Sequence, residues 1–236
     1  MLRTTMRGLG EVFITLGIVI LLFVVYQLYW TGILADQARA DEMRKLEEAR
    51  KRLVASQPKD QPVSQNPAKQ PPYEDGEPFG TMYVPRFGSG WYKTIRPGTT
   101  PKELQKGLGW YKGSAQAGDD GNFAIAGHRK TYGDPFLNVP KLQVGDKVVI
   151  EGVSEWFVYS IDKPVSLSGE KAVLKTIPED VHVLDPVPEK AYTTPGKYIT
   201  LTTCEPEFGS THRLIVWGHL ESRTPLAAGK PAALQG

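Results

Sequence analysis

Between Gly80 and Glu221 the chain breaks into short β-type runs, and this constrains its fold more than any other feature. The clear runs are Thr81–Val84, Asn122–Ala126, Lys147–Ile150, Trp156–Ile161, Tyr198–Thr203 and Leu214–Leu220, punctuated by Gly, Pro and Asp. Many short strands with few helices between them predict a mainly β fold, a barrel or sandwich, rather than an alternating α/β sheet. Thr100-Pro101-Lys102-Glu103-Leu104 reads as a helix start, with an N-cap Thr, a Pro at the first position and an acid in the first turn. A second short helix is expected over Asp134–Leu142, before a turn at Gly145-Asp146.

The β-rich part, 80–221, is flanked by segments of other kinds. Val12 to Trp30 is nineteen residues without a charge, and the apolar run continues to Ala35. About 20 apolar residues, at roughly 1.5 Å rise each, span a bilayer core. Tyr26, Tyr29 and Trp30 gather at the far end, as an interfacial belt would. Arg3, Arg7 and the small residues of Ala38-Arg39-Ala40 fit a cleaved signal peptide as the rival, but the apolar run exceeds the usual length for one. Residues 12–35 are therefore read as an uncleaved transmembrane helix, preceded by a short terminus, 1–11. Residues 36–56 are rich in strong helix formers and carry the i,i+4 pair Glu47–Lys51, as a solvated juxtamembrane helix would. Residues 57–79 hold six of the nineteen prolines and read as a flexible linker. The Pro/Ala/Gly-rich end, 222–236, is expected to be a disordered tail.

Charge and cysteine content narrow the function. With 28 basic and 26 acidic residues, the net charge of +2 gives no electrostatic case for a nucleic-acid partner. One cysteine, Cys204, excludes an intrachain disulfide and any multi-cysteine metal site. It leaves an inert buried thiol, an intermolecular partner or a reactive nucleophile. Neither an HxxxH helix nor a DxDxDG loop is present, so no metal and no cofactor is expected.

Three segments carry candidate chemistry. Ala124–Arg129 is a small apolar strand that leads through Gly127 to His128. Tyr198–Cys204 is an alternating strand that delivers the cysteine to its end, and Thr211–His219 is a second strand opening with Arg213. The last two read as a hairpin across Glu205–His212, turned by Pro206 and Gly209. On the first strand Thr200, Thr202 and Cys204 share one face; on the second, Arg213, Ile215 and Trp217 do. Arg213 is thus the residue to join Cys204, and His212 points away.

These residues resemble the sortase family of Gram-positive cysteine transpeptidases. The resemblance rests on TLTTC (Thr200–Cys204), AGHR (Ala126–Arg129) and THRLIVWGHL (Thr211–Leu220), and covers nearly all of 80–220. Phe136-Leu137-Asn138 through Leu142, Gly145-Asp146, and Val84–Gly88 support it. The spacing from Cys204 to Arg213, with the anchor and linker, is most similar to the actinobacterial class E enzymes, which are associated with LAxTG-type sorting signals; the class A prototype prefers LPxTG.

The resemblance implies a closed barrel of about eight strands with the site at one end. Cys204 would attack the Thr–Gly carbonyl of a C-terminal sorting signal on a secreted protein. His128 would be the general acid for the leaving glycine amine and then the base for the incoming one. Arg213 would stabilise the oxyanion or hold the substrate backbone. A peptidoglycan-precursor amine would resolve the thioacyl enzyme, which implies a cytoplasmic amino terminus and an extracellular barrel on a single-pass cell-membrane anchor. Thiolate chemistry suits this set. A thiol near 8.5 and an imidazole near 6.5 titrating independently would give only about 1% of the thiolate–imidazolium form, so a permanent cation such as Arg213 matters.

Thr203, Phe123 and Tyr132 are secondary candidates for contacting substrate, and Tyr111 for shaping its pocket. Arg129 reads as a solvated loop charge, His182 as a packed or solvated side chain, and His219 as a strand end without an evident partner. Two other functions fit the same residues: a pilin-polymerising enzyme that uses a lysine acceptor, and a wall-binding barrel without catalysis.

Overall fold

The computed structural model describes residues 2–56, 73 and 76–235, so most of the expected linker, 57–79, lies outside the described residues. The chain divides into two units, Met1–Ala40 and Asp41–Gly236.

The first unit is helical. Helix α1 runs over Leu2–Ser56, and its last part belongs to the second unit. The large apolar side chains from Val12 to Tyr26 are 45–65% exposed. Among the described residues no helix is long and apolar enough to cross a membrane. The run expected to do so, 12–35, continues past Tyr26 into residues whose side chains are not described.

Among its described residues the second unit holds nine strands: β1 (Gly80–Tyr83), β2 (Tyr92–Pro97), β3 (Leu108–Trp110), β4 (Gly121–Ala126), β5 (Lys147–Glu151), β6 (Glu155–Ile161), β7 (Val173–Thr176), β8 (Lys197–Glu205) and β9 (His212–Pro225). Eight of them, in the order β6-β5-β1-β2-β3-β4-β8-β9, close into a barrel through the β6–β9 pairing, and β7 adds to β9. The closed mainly β fold is as the short runs predict. Strand β9 has 14 residues because it serves two neighbours along one edge. Its first part pairs with β7, up to Val216, and its later part with β6, from Gly218 to Pro225. A Cβ at Gly218 would lie 2.5 Å from the Ser160 carbonyl oxygen, so closure requires glycine there.

Alternation fills the barrel. Ile199, Leu201, Leu214 and Val216 point into a core with Phe123, Ile125, Val148, Ile150, Phe157 and Tyr159. The opposite faces of β8 and β9 are also covered: Ile215 and Trp217 pack with Val183 and Ala191 of the segment before β8. Helix α2 (Pro101–Leu104) starts after Thr100, as expected. The helix expected over Asp134–Leu142 is only a 3-10 turn at Val139–Lys141. Pro135 and Pro140 remove backbone donors there, and Asp134 adopts φ +47°.

Three expectations about the flanks are corrected. The tail is ordered from Ser222 to Gln235: β9 continues to Pro225, and Leu226, Ala233 and Leu234 pack on Val149, Trp156 and Val158. Arg223 pairs with Glu155 and lies over the Phe157 ring. The linker's end is not all flexible. Tyr73 stacks on Phe79 with centroids 3.4 Å apart and meets Trp110 edge-on, because two aromatic faces remain at that end of the core. The juxtamembrane segment is not all solvated: Glu42 and Leu46 are buried, with Glu42 paired to Arg96 of β2. Arg96 is itself fully buried and its burial lowers its pKa, so an uncompensated charge there would be costly.

Candidate active site

Strand register sets two of the three candidate catalytic residues opposite each other and brings the third to the same end of the sheet. Strand β4 runs parallel to β8 with Ala126 opposite Thr202, Gly127 N extends the ladder to the Thr202 carbonyl, and His128 follows just beyond the end of that pairing. Strand β9 runs antiparallel to β8 and pairs Arg213 directly with Cys204. His128 thus follows the strand on one side of β8, and Arg213 stands on the strand at its other side. Cys204 is partly exposed and shares the face of Thr200 and Thr202, away from the barrel core. His212 pairs with Glu205, and its Nδ1 lies 3.0 Å from Thr211 Oγ1.

The face that carries Cys204 is held by polar contacts. Thr200 Oγ1 donates to Asn122 Oδ1 at 2.8 Å, and Asn122 Nδ2 donates to the Asp185 carbonyl at 3.1 Å. The hydroxyls of Tyr111 and Thr202 lie 3.0 Å apart, which sets the Tyr111 ring beside the strand that ends in the nucleophile. Arg213 is anchored by Nη1, which donates to the carbonyls of Ser210 at 2.9 Å and His212 at 3.0 Å. A guanidinium fixed at one nitrogen keeps further donors in a defined fork.

His128 sits in a confined setting. Its Nε2 is buried and makes no hydrogen bond, while its carbonyl accepts from Phe136 N at 2.9 Å. The Tyr132 ring lies 5.1 Å from the imidazole, centroid to centroid, at a 35° tilt. Burial lowers the His128 pKa below 6.5, since the charged form loses solvation. The loop after it is strained: Thr131, Tyr132 and Asp134 have φ of 82°, 50° and 47°, in the region that non-glycine residues avoid. Thr131 N donates to Asp134 Oδ1 at 2.6 Å and helps to hold that shape.

The secondary candidates fall in different places. Tyr132 is half-exposed beside His128. Phe123 is fully buried in the barrel core, so it presents nothing to a substrate. Thr203 is buried on the inward face, and its Oγ1 donates to the Gly127 carbonyl at 2.8 Å. Its contribution is to the loop that carries His128. His182 is exposed beside Asp185, at 2.9 Å. His219, expected to lack a partner, has Asp162 at 2.8 Å from Nδ1. Arg129 is not a solvated charge: it is 7% exposed and paired with Glu205 and, at 3.6 Å, Glu207. Its sequence neighbours carry no sign of partners so distant in the chain. Among the described residues no group of three or more His, Cys, Asp or Glu side chains is placed to hold a metal ion.

The arrangement offers a thiol, an imidazole nitrogen without a hydrogen-bond partner, and a fixed cation. That set suits acyl transfer through a covalent thioester.

Known proteins share this site's fold and sequence. The family model of the sortase domain matches residues 82–221. Over 97% of its length the chain is 37% identical to sortase SrtE1 of Streptomyces coelicolor, and it spans 60% of that protein. Among solved structures, sortase E from Streptomyces avermitilis superposes with a TM-score of 0.61 at 52% identity, covering 69% of this chain and 99% of that one. Sortase E1 from S. coelicolor, solved with a tripeptide in its active site, superposes with a TM-score of 0.60 at 37% identity, covering 66% of this chain and 96% of that one. With its eight-stranded barrel and these relatives, the chain belongs to the sortase family of cysteine transpeptidases, on its class E branch.

Proposed function

We propose that the chain is a membrane-anchored transpeptidase that cleaves a C-terminal LAxTG- or LPxTG-type sorting signal between Thr and Gly and transfers the protein to a peptidoglycan amine. The pairing of Cys204 with Arg213, and the exit of β4 through Gly127 to His128 at the same end of the sheet, carry this reading. The Cys204 thiolate adds to the Thr carbonyl carbon, and Arg213 donates to the oxyanion. As the C–N bond breaks, His128 gives its proton to the glycine amine. The neutral imidazole then takes a proton from the acceptor amine as that amine attacks the thioester and releases the thiolate. The tripeptide in the active site of the S. coelicolor relative supports a peptide substrate.

The half-exposed apolar side chains of Val12–Tyr26 support a lipid anchor, since a surface of that size is costly in water. Transfer to wall precursor occurs outside the membrane, so the amino terminus is cytoplasmic and the barrel extracellular. The test supplies purified full chain with LAxTG and LPxTG peptides and an amine acceptor, followed by mass spectrometry. Cys204→Ala is expected to abolish both cleavage and transfer with the fold intact. Retained activity in that variant would remove the reading.

A further inference from the structure

Two backbone segments meet around the reactive pair, and they are tied on both sides of it. Before His128, Gly127 N donates to the Thr202 carbonyl at 3.1 Å, and the Gly127 carbonyl accepts from Thr203 Oγ1 at 2.8 Å. After His128, Arg129 is paired with Glu205, the residue after Cys204, and reaches Glu207 at 3.6 Å. The first tie extends the β4–β8 ladder. The second does not: it is a buried guanidinium held by the carboxylates of Glu205, the last residue of β8, and Glu207 of the β8–β9 loop, with its Nε unsatisfied.

A buried ion pair is a poor source of net stability, because desolvation offsets the attraction, but it fixes position wherever its loss would strand a charge. Glu205 also places a carboxylate one residue from the thiol. A carboxylate there opposes formation of a thiolate unless a cation neutralises it.

We propose that Arg129 is a positioning residue for the transpeptidation, clamping the His128 loop to the nucleophile strand through Glu205 and cancelling the charge of Glu205 beside Cys204. The proposal rests on the assignment of Cys204 and His128 as the reacting pair. It distinguishes Arg129 from Arg213, which faces the nucleophile directly and acts on the oxyanion.

The test uses full-length protein in detergent and the variants Arg129→Lys, Arg129→Met, Glu205→Gln and the exchanged pair Arg129→Glu/Glu205→Arg. Because the chain has one cysteine, the pH dependence of iodoacetamide alkylation reads Cys204 alone and needs no substrate. Arg129→Met is expected to move the alkylation midpoint upward, and Glu205→Gln to leave it at or below that of the parent. Arg129→Lys keeps the charge but loses the fork, so kcat falls about 10- to 100-fold with KM nearly unchanged. The exchanged pair regains part of that kcat.

Thermal melting and circular dichroism identify the folded variants, and Arg129→Lys and Glu205→Gln are conservative enough to remain in that set. Folded variants with the parent's alkylation midpoint and kcat would overturn the proposal while Cys204→Ala is inactive. Activity surviving in Cys204→Ala would instead overturn the assignment on which it rests.

Discussion

Cys204 and Arg213 face each other directly across the antiparallel β8–β9 pair, so a permanent cation is built opposite the nucleophile by strand register rather than by a loop. Because Arg213 is only partly buried and its Nη1 already holds two carbonyls, its removal should alter chemistry more than folding. Arg213→Ala is expected to lower kcat by about 10²- to 10³-fold, the usual loss for a principal oxyanion donor. Steady-state kinetics with a sorting-signal peptide would check this, with circular dichroism as the control. Retention of most of the kcat would exclude an oxyanion role.

The burial of His128 sets a pH dependence. Burial lowers its folded pKa from the ordinary imidazole value, because the charged form loses solvation. As pH falls through about 6.5, the unfolded chain takes up this proton before the folded one does. Stability from this group is therefore complete above the unfolded value and declines as pH drops toward the folded one. An NMR titration of the imidazole should give a midpoint below 6.5, and His128→Gln should flatten the corresponding part of the stability profile. A midpoint above 6.5 would contradict the burial argument.

Gly127 is closely packed. A Cβ added there would lie 2.7 Å from Phe136 Cδ2 and 2.8 Å from Leu108 Cδ2. Gly127→Ala is expected to destabilise the barrel by about 1–3 kcal/mol, as overpacking commonly does, and to lower activity by shifting His128. Urea denaturation compared with kcat would separate the two effects.

Thr203 offers a complementary test on the other side of the same contact. Thr203→Val is nearly isosteric but leaves the Gly127 carbonyl without its hydroxyl donor. A loss of about 1–3 kcal/mol is expected from the unsatisfied group. A neutral result would mean that another donor replaces the hydroxyl.

The tail makes a prediction of the opposite kind. Truncation after Pro225 removes Leu226, Ala233 and Leu234 from Trp156 and Val158, which pack at the end of β9 opposite to Arg213. A loss of about 2 kcal/mol is expected from re-exposed apolar surface, with kcat unchanged in the folded protein. Chemical denaturation of the truncated chain would measure it.

The site was more legible in the sequence than its supports were. Alternation in Thr200–Cys204 and Arg213–Trp217 determined which residues share a face, and that parity holds because both neighbouring surfaces are buried, inside and outside the barrel. Strands β2, β3 and β7 escaped notice for local reasons. Strand β3 is only Leu108-Gly109-Trp110, β2 contains the buried Arg96 and ends in Pro97, and β7 carries Lys175 between half-buried neighbours. The tail has the composition of a disordered segment, yet Thr224 and Pro225 complete the pairing with β6. Arg129 reads as a solvated charge from sequence because nothing beside it signals that Glu205, 76 positions away, buries with it.

The parallel pairing of β4 with β8 has a consequence for when the chain becomes reactive. His128 and Cys204 are brought to one end of the sheet only after the intervening β5–β7 excursion is closed, and Arg213 joins only when β9 has turned back. Such non-local pairings form late, because the loop entropy must be met before the contacts reward it. A chain still emerging during synthesis therefore carries a thiol without its imidazole and cation, and the chemistry switches on only with the finished barrel.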